Sequence, residues 1–436
     1  MTNNPVEEVK SKVDLIAEIS RFVELTQVGN RYTGFCPFHA NVNTPAFYVF
    51  PDNSNWYCFG CDEGGDVFNF LERTEGKTFK EVLEELAEKY HVKISTDPAY
   101  AAKAQKIKNI QEVNRAAKEY WTNNLIWNME VMGYLESRGI TIETIDRFGL
   151  GYAEDSWDNL MNHLLNKGFP IDLIIESGLV KPGTVTSSYY DFFRNRITIP
   201  IAMNGGILGF GARIAPGNDS PAKFINTPDT PTFKKREILF GYNFARQSIF
   251  KTKTAIVVEG YFDAIILQQY GFLNTVASAG TALTKEHFRA LKQAGAERVI
   301  LAMDGDAAGE KASITIASQA REVDLYICSL PEGKDPDDLA IENLDYLTGL
   351  LDTAEPFITY LIRVNTKGEA APDKKRLTKK IMPMINLIED PVEQAAYIDQ
   401  LANALNIKNF RPNPICPHCK KRIYSSEEQN EWKKTA

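Results

Sequence analysis

Apolar residues recur at helical spacing near the start of the chain: Val9, Val13, Ile16, Ile19 and Val23 share one face of a helix over residues 7–25. The period then shortens. Phe47, Tyr48, Trp56 and Tyr57 flank the turn signal PDNSN, which predicts short antiparallel strands. Residues 62–92, DEGGDVFNFLERTEGKTFKEVLEELAEKYHV, return to helical spacing as two helices around a Gly-containing turn. Residues 1–96 thus form a first domain. The small, polar and basic run 97–108, DPAYAAKAQKIK, reads as a linker, or a linker running into the next helix. Residues 109–250 start helical and become strand-rich, and RITIPIAMNGGILGFGARI predicts two apolar strands around a Gly turn. From 251 to 341 the short apolar strands TAIVV, NTVAS, RVILAM and DLYICSL alternate with helical stretches 261–270, 284–295 and 306–320. That alternation predicts a mostly parallel α/β sheet. Residues 342–408 are helical, and 409–436 are a polar tail.

Composition narrows the class. A chain of 436 residues holds two to four domains, and 44% hydrophobic with 24% charged residues is ordinary for globular protein. Apolar runs such as AIIL are far too short to span a bilayer. The charged, amphipathic N-terminus is not a signal peptide. A cytoplasmic setting follows, in which the six cysteines are ligands or free thiols. The net charge of −8 weighs mildly against nucleic acid, yet residues 181–250 carry nine basic against four acidic side chains. No P-loop motif is present.

Two groups of residues carry chemistry. Cys36 and His39 stand three apart, and after 18 intervening residues so do Cys58 and Cys61. Thiolate and imidazole suit tetrahedral zinc, and four protein ligands leave no open position, so this site is structural. Arg31, Arg73, Lys77 and nearby aromatics are candidates for contact with bases and phosphates, though core packing explains most such aromatics. In the tail, Cys416 and Cys419 form a half-site, and Cys328 reads as a small core residue. The second group lies at predicted strand ends: Glu259 after AIVV, Asp304 and Asp306 after RVILAM, and Asp335, Asp337 and Asp338 after DLYICSL. Ligands bind at the carboxyl ends of strands in open α/β sheets. Clustered carboxylates repel one another unless cations sit among them, and oxygen ligands suit Mg2+ or Mn2+. An isolated Asp306 would equally serve as a helix cap, but three acidic strand ends in one unit favour a metal site.

VVEGYFDA, DGDAAG and KDPDD resemble the three acidic motifs of the TOPRIM domain, shared by bacterial-type primases, topoisomerases and some nucleases. GFCPFHANVNTPAFYVFP with WYCFGCDEGGDVFNFL is similar to the zinc-binding domain of DnaG-type primases. FRNRITIPIAMNGGILGFGARI and KFINTPDTPTFKKREILFGYNFA resemble the basic subdomain of the same enzymes, and the likeness covers residues 6–408. It implies a multidomain α+β and α/β fold: zinc ribbon, mixed basic subdomain, Rossmann-like parallel TOPRIM sheet and C-terminal helical segment. It further implies synthesis of short RNA primers from ribonucleoside triphosphates on single-stranded DNA.

Carried over by residue, the resemblance assigns one structural zinc to Cys36, His39, Cys58 and Cys61. Two or more Mg2+ or Mn2+ ions go to Glu259, Asp304, Asp306, Asp335 and Asp337. Glu259 lies near the 3′-hydroxyl or its metal, and Asp263 supports it from the next helical turn. Arg194, Arg196, Lys223 and Lys234 meet template backbone or triphosphate, with Arg213 and Asn226 as weaker additions. FKKREILFG departs from the family by placing Arg236 where a glycine usually follows the lysine, which leaves Lys234 and Lys235 as alternatives. The resemblance also leads to the expectation that the usual helicase-docking domain is lacking, with only the CPHC tail in its place, so that a replicative helicase would be a partner through another surface. A TOPRIM nuclease or topoisomerase, and a non-catalytic zinc-dependent strand-binding protein, are the competing readings. No segment suggests the tyrosine-bearing domain that a topoisomerase needs, and no motif acid is missing.

Overall fold

The computed structural model describes residues 5–39, 44–77, 79–93, 98–183, 188–203, 205–302, 316, 319–320, 323–366, 374–388 and 390–407. The chain divides into two compact units, residues 1–281 with 289–296 and residues 282–288 with 297–436.

In the first unit the N-terminal apolar pattern makes two helices, Pro5–Lys12 and Leu15–Ser20, rather than one. Asp14 divides them: its carboxylate accepts the Ala17 N–H at 3.0 Å and caps the second helix. Five strands follow: β1 (Thr26–Val28), β2 (Arg31–Gly34), β3 (Phe47–Phe50), β4 (Asn55–Cys58) and β5 (Glu63–Gly65). They pair antiparallel in chain order. Phe47 and Val49 of β3, and Trp56 and Cys58 of β4, turn to one face with the two-residue period of a strand. There they pack with Phe68, Phe70 and Leu86 from helices Val67–Glu75 and Phe79–Lys89. Asp66 and Asn69 form a reciprocal cap at the start of the first of these helices, and Gly76, at φ 66°, ends it.

One helix, Pro98–Ile126, runs through residues 98–108, the stretch expected as linker. Its composition explains the difference: after Pro98 the run is mostly Ala, Lys and Gln, strong helix formers, and Pro at the first helical position gives up no needed N–H. The helix carries Val113, Ala117 and Trp121 into a second core, where Trp121 meets Phe210 edge-on at 4.9 Å. Four short helices between 129 and 176 precede the main strands. A mixed-order antiparallel sheet runs β11-β10-β9-β6, built of β6 (Gly151–Ala153), β9 (Arg196–Met203), β10 (Gly206–Ile214) and β11 (Phe224–Asn226). The expected hairpin is β9–β10, with a bulge between Ile207 and Gly209. β7 (Val180–Pro182) and β8 (Tyr189–Asp191) form a separate pair. Helix Tyr242–Thr252 leads into β12 (Thr254–Val258), which pairs in parallel with β13 (Thr275–Ala277), with helix Tyr261–Gln269 as the crossover.

In the second unit β14 (Arg298–Leu301) and β15 (Asp324–Ile327) pair in parallel, and β16 (Glu355–Pro356) joins β15 antiparallel. Helices Pro336–Glu342 and Leu344–Asp352 precede three more, Phe357–Thr366, Lys374–Ile385 and Pro391–Ala404. Leu361, Leu377, Ile381 and Leu401 of these three are buried. Cys328, just past β15, is a core residue as expected, and burial pushes its thiol up to about 12. Among the described residues no helix is long and apolar enough to cross a membrane.

Candidate functional site

Cys36, His39, Cys58 and Cys61 converge, with all four ligand atoms within 4.8 Å of one another. Cys36 Sγ lies 3.9 Å from Cys61 Sγ, and Cys58 Sγ lies 3.8 Å from His39 Nδ1. Zinc bonds of about 2.3 Å to sulfur and about 2.0 Å to nitrogen give tetrahedral edges of roughly 3.5–3.8 Å, so the residues fit this metal. Each knuckle aims a backbone N–H at a sulfur: Phe38 N–H to Cys36 Sγ and Gly60 N–H to Cys58 Sγ, both at 3.4 Å. Burial pushes the Cys36 thiol up to about 12. Burial also opposes ionisation of Cys58, but N–H groups of Cys61 and Gly60 prevail and hold it low. Gly60 is required by contact, since a Cβ there would stand 2.6 Å from His39 Nε2.

Most of the aromatics around this centre are core, as Phe47 and Trp56 show. Lys77 is ion-paired with Glu75 and Glu85, and Arg73 with Glu63. The Arg73 guanidinium also lies 4.4 Å from the Phe38 ring and 5.9 Å from Phe250 on helix Tyr242–Thr252. Arg31 stacks on Tyr48 at 4.7 Å, and Phe35 and Phe59 are exposed. Arg31 and these two rings are exposed groups of this domain.

The basic residues do not behave alike. Arg194 stacks on the Trp157 indole at 3.7 Å, with Tyr190 at 5.4 Å, and its Nη1 is buried without a hydrogen-bond partner among the described residues. Trp157 itself is 66% exposed. Arg196 departs from the expectation of a template contact: it is 6% exposed and donates to Ala222 O and Ser220 Oγ, each at 3.0 Å. It thereby ties down the loop that carries Lys223, which is exposed. Arg213 packs among Phe262, Phe224 and Tyr134 at 4.9–5.5 Å. Lys234 points outward to Glu237 at 3.2 Å, whereas Lys235 donates to Gly280 O at 3.3 Å. With its amide turned to satisfy both ends, Asn226 accepts from Lys235 at 3.1 Å and meets the Tyr261 hydroxyl. The two lysines are thus placed differently, Lys234 paired with Glu237 and Lys235 beside Asn226 and Gly280.

Tyr261 is the residue that motif reading missed. It follows Gly260 in the EGYFDA motif and is buried, with its ring filling the space over Gly211 and meeting Phe240 at 4.9 Å. It joins the helix after Glu259 to β10 and β11. The available signal was a tyrosine among apolar residues, a type that when buried usually seeks a polar partner.

Glu259 directly follows β12. Asp263 accepts the Gly260 N–H at 3.0 Å, so it fixes the turn between them. Asp335, Asp337 and Asp338 bring carboxylate oxygens within 4.8 Å of one another at the start of helix Pro336–Glu342, with Asp337 buried. That donor set suits a hard divalent cation. Asp304, Asp306, Cys416 and Cys419 lie outside the described residues.

A ribbon that gathers three cysteines and a histidine, a basic antiparallel sheet and acids that follow parallel strands are features in keeping with a template-directed nucleotidyl-transfer enzyme of the TOPRIM class. The comparisons with known proteins agree. Family models match as CHC2 zinc finger over residues 1–102, DNA primase catalytic core N-terminal domain over 120–246, and Toprim-like over 256–340. The chain is 36% identical over 411 residues to the DNA primase of Clostridium acetobutylicum, covering 92% of this chain and 68% of that one. It is 34% identical over 409 residues to the DNA primase of Deinococcus radiodurans, covering 91% and 69%. The zinc-binding and RNA polymerase domains of Aquifex aeolicus primase share the fold with a TM-score of 0.61 at 30% identity, over 93% of this chain and 98% of that one. A DnaG primase catalytic domain bound to ssDNA matches with a TM-score of 0.62 at 30% identity, over 70% and 98%.

The chain belongs to the DNA primase family, whose members are DNA-directed RNA polymerases that make RNA primers. One expectation is corrected. Residues 369–408 match the DnaB-helicase binding domain of primase, so that domain is not lacking. Its helices carry no chemistry-bearing motif, so the sequence pattern shows them as helical and nothing more.

Proposed function

We propose that this enzyme performs primer synthesis through the three acidic motifs, with Glu259, Asp304, Asp306, Asp335 and Asp337 holding two or more Mg2+ or Mn2+ ions. The observation that carries this reading is the convergence of Asp335, Asp337 and Asp338. For Glu259, Asp304 and Asp306 the support is the sequence motif. When bound, such cations offset triphosphate charge and favour ionisation of the attacking hydroxyl. The chain's own work is positioning. Asp263 holds the Glu259 turn. Arg194 and Lys223 contact template phosphate, with Trp157 offering a face for a base. Lys235, with Asn226 beside it and Arg213 on the neighbouring strand β10, receives the nucleotide triphosphate, while Arg196 shapes the loop. The zinc is structural, the setting is cytoplasmic, and a replicative helicase docks on residues 369–408.

The test is incorporation of labelled ribonucleotides on mixed single-stranded DNA with Mg2+ or Mn2+, beside Asp304→Asn. Short RNA from the wild type and none from a folded Asp304→Asn supports the assignment. Equal synthesis by the two proteins would overturn it.

A further inference from the structure

A groove of about 450 Å3 lies in the second unit, between β15–β16 and helices Lys374–Ile385 and Pro391–Ala404. Phe357, Met384 and Leu387 give it an apolar wall, and Asp324, Asp390 and Glu393 give it an acidic rim. No lysine or arginine is among the described residues that line it. Asp390 is already engaged as the cap of helix Pro391–Ala404, accepting from Val392 and Glu393 N–H at 2.8 Å. Partial burial, with Asp324 and Asp390 beside it, holds the Glu393 carboxyl above its ordinary range. These carboxylates repel one another, and a cation placed among them relieves the repulsion. Two apolar side chains next to the rim face water: Leu387 is 40% exposed and Val392 77%. The sign of the rim argues against a nucleic-acid phosphate here. Met384, Leu387, Asp390 and Glu393 all fall within residues 369–408, the segment matched as helicase-binding.

We propose that this groove seats a segment of the replicative helicase in which an apolar side chain is flanked by lysine or arginine. The inference rests on the reading that residues 369–408 dock a helicase, and it adds the face and the chemistry. The apolar anchor fills the wall and the flanking cations meet the rim, an arrangement in which a central side chain supplies affinity and charges supply orientation.

The experiment is calorimetric titration of the full chain with the purified hexameric helicase of the same genome. The wild type is compared with the double reversal Asp324→Lys/Glu393→Lys and with Leu387→Ala. The expected result is at least a tenfold loss of affinity in the double reversal and a several-fold loss in Leu387→Ala. Helicase-independent primer synthesis is unchanged in both, which reports that each is folded. If the double reversal misfolds, Leu387→Ala decides alone. Unchanged affinity in folded variants would overturn the groove while leaving helicase docking standing. No binding by the wild type would overturn the docking reading and the groove with it. Light scattering separates a further occupant: a dimer of this chain dispersed by the reversal would assign the groove to a second copy instead.

Discussion

Gly60 shows how much function can hang on one absent atom. The residue stands between two zinc ligands, and a Cβ there would sit 2.6 and 2.8 Å from ring atoms of His39. An exposed side chain would swing away, but this ring is fixed by its place among three sulfurs. Gly60→Ala therefore pushes His39 out of the ligand set, and the expected outcome is a zinc content well below one per chain, read by atomic absorption. Full zinc occupancy would mean that the knuckle can relax. The four ligands themselves were legible because their spacing is set by the backbone of a knuckle, a local property that a sequence displays. Lys235 was not. That Lys235, and not Lys234, lies beside Asn226 is set within a turn three residues long, which the sequence pattern does not display. The burial of Arg196 was not legible for a related reason: basic character is visible in sequence, but whether a guanidinium faces solvent or its own loop is decided by tertiary contacts.

Among the elements, the helix Asn159–Asn166 is tied to β8 by one carboxylate. Asp191, 3% exposed, accepts the Leu160 N–H at 2.8 Å and the Met161 N–H at 3.0 Å, while its own N–H donates to Trp157 O at 2.7 Å. The same residue thus fixes the segment that carries Trp157 beneath Arg194. Burial pushes the Asp191 carboxyl up to about 6, from 3.8, in spite of the two N–H groups. Because the folded state then holds the proton more tightly than the unfolded state, this group's contribution to stability falls as pH rises from about 4 to about 6. The total is at most about 3 kcal/mol. Asp191→Asn keeps one acceptor oxygen and removes the titration. Melting temperatures of wild type and variant taken between pH 4 and 7 should converge at the acid end and move in the variant's favour towards pH 7. A constant difference would show that Asp191 is ionised throughout. Element boundaries were the less legible level. Helix Pro98–Ile126 was obscured because small, polar, basic composition suits both a linker and an exposed helix. Asp14 divided a continuous apolar pattern because capping competes with periodicity.

For the molecule as a whole, charge is the property that sequence and structure describe differently. The chain carries −8 overall, yet residues 181–250 hold nine basic side chains against four acidic ones. Several of those nine already have partners within the protein, among them Arg196 in its loop, Lys234 with Glu237 and Lys235 with Gly280 O. On the assignment proposed above, the template is held by Arg194 and Lys223, fewer positive charges than the residue count suggests. Counterion release converts this into a measurable slope, because each phosphate neutralised on a single strand contributes about 0.7 to the fall of log affinity with log salt. Replacing Arg194 and Lys223 together by alanine should lower that slope by about 1.4, whereas Lys234→Ala should leave it nearly unchanged. Fluorescence anisotropy with labelled single-stranded DNA at several salt concentrations gives both values. A slope that falls as much for Lys234→Ala would mean that the acidic remainder of the protein does not screen its own basic face as the ion pairs indicate. A double variant that binds weakly with the wild-type slope would mean that these residues act through packing, and that the phosphates are held elsewhere.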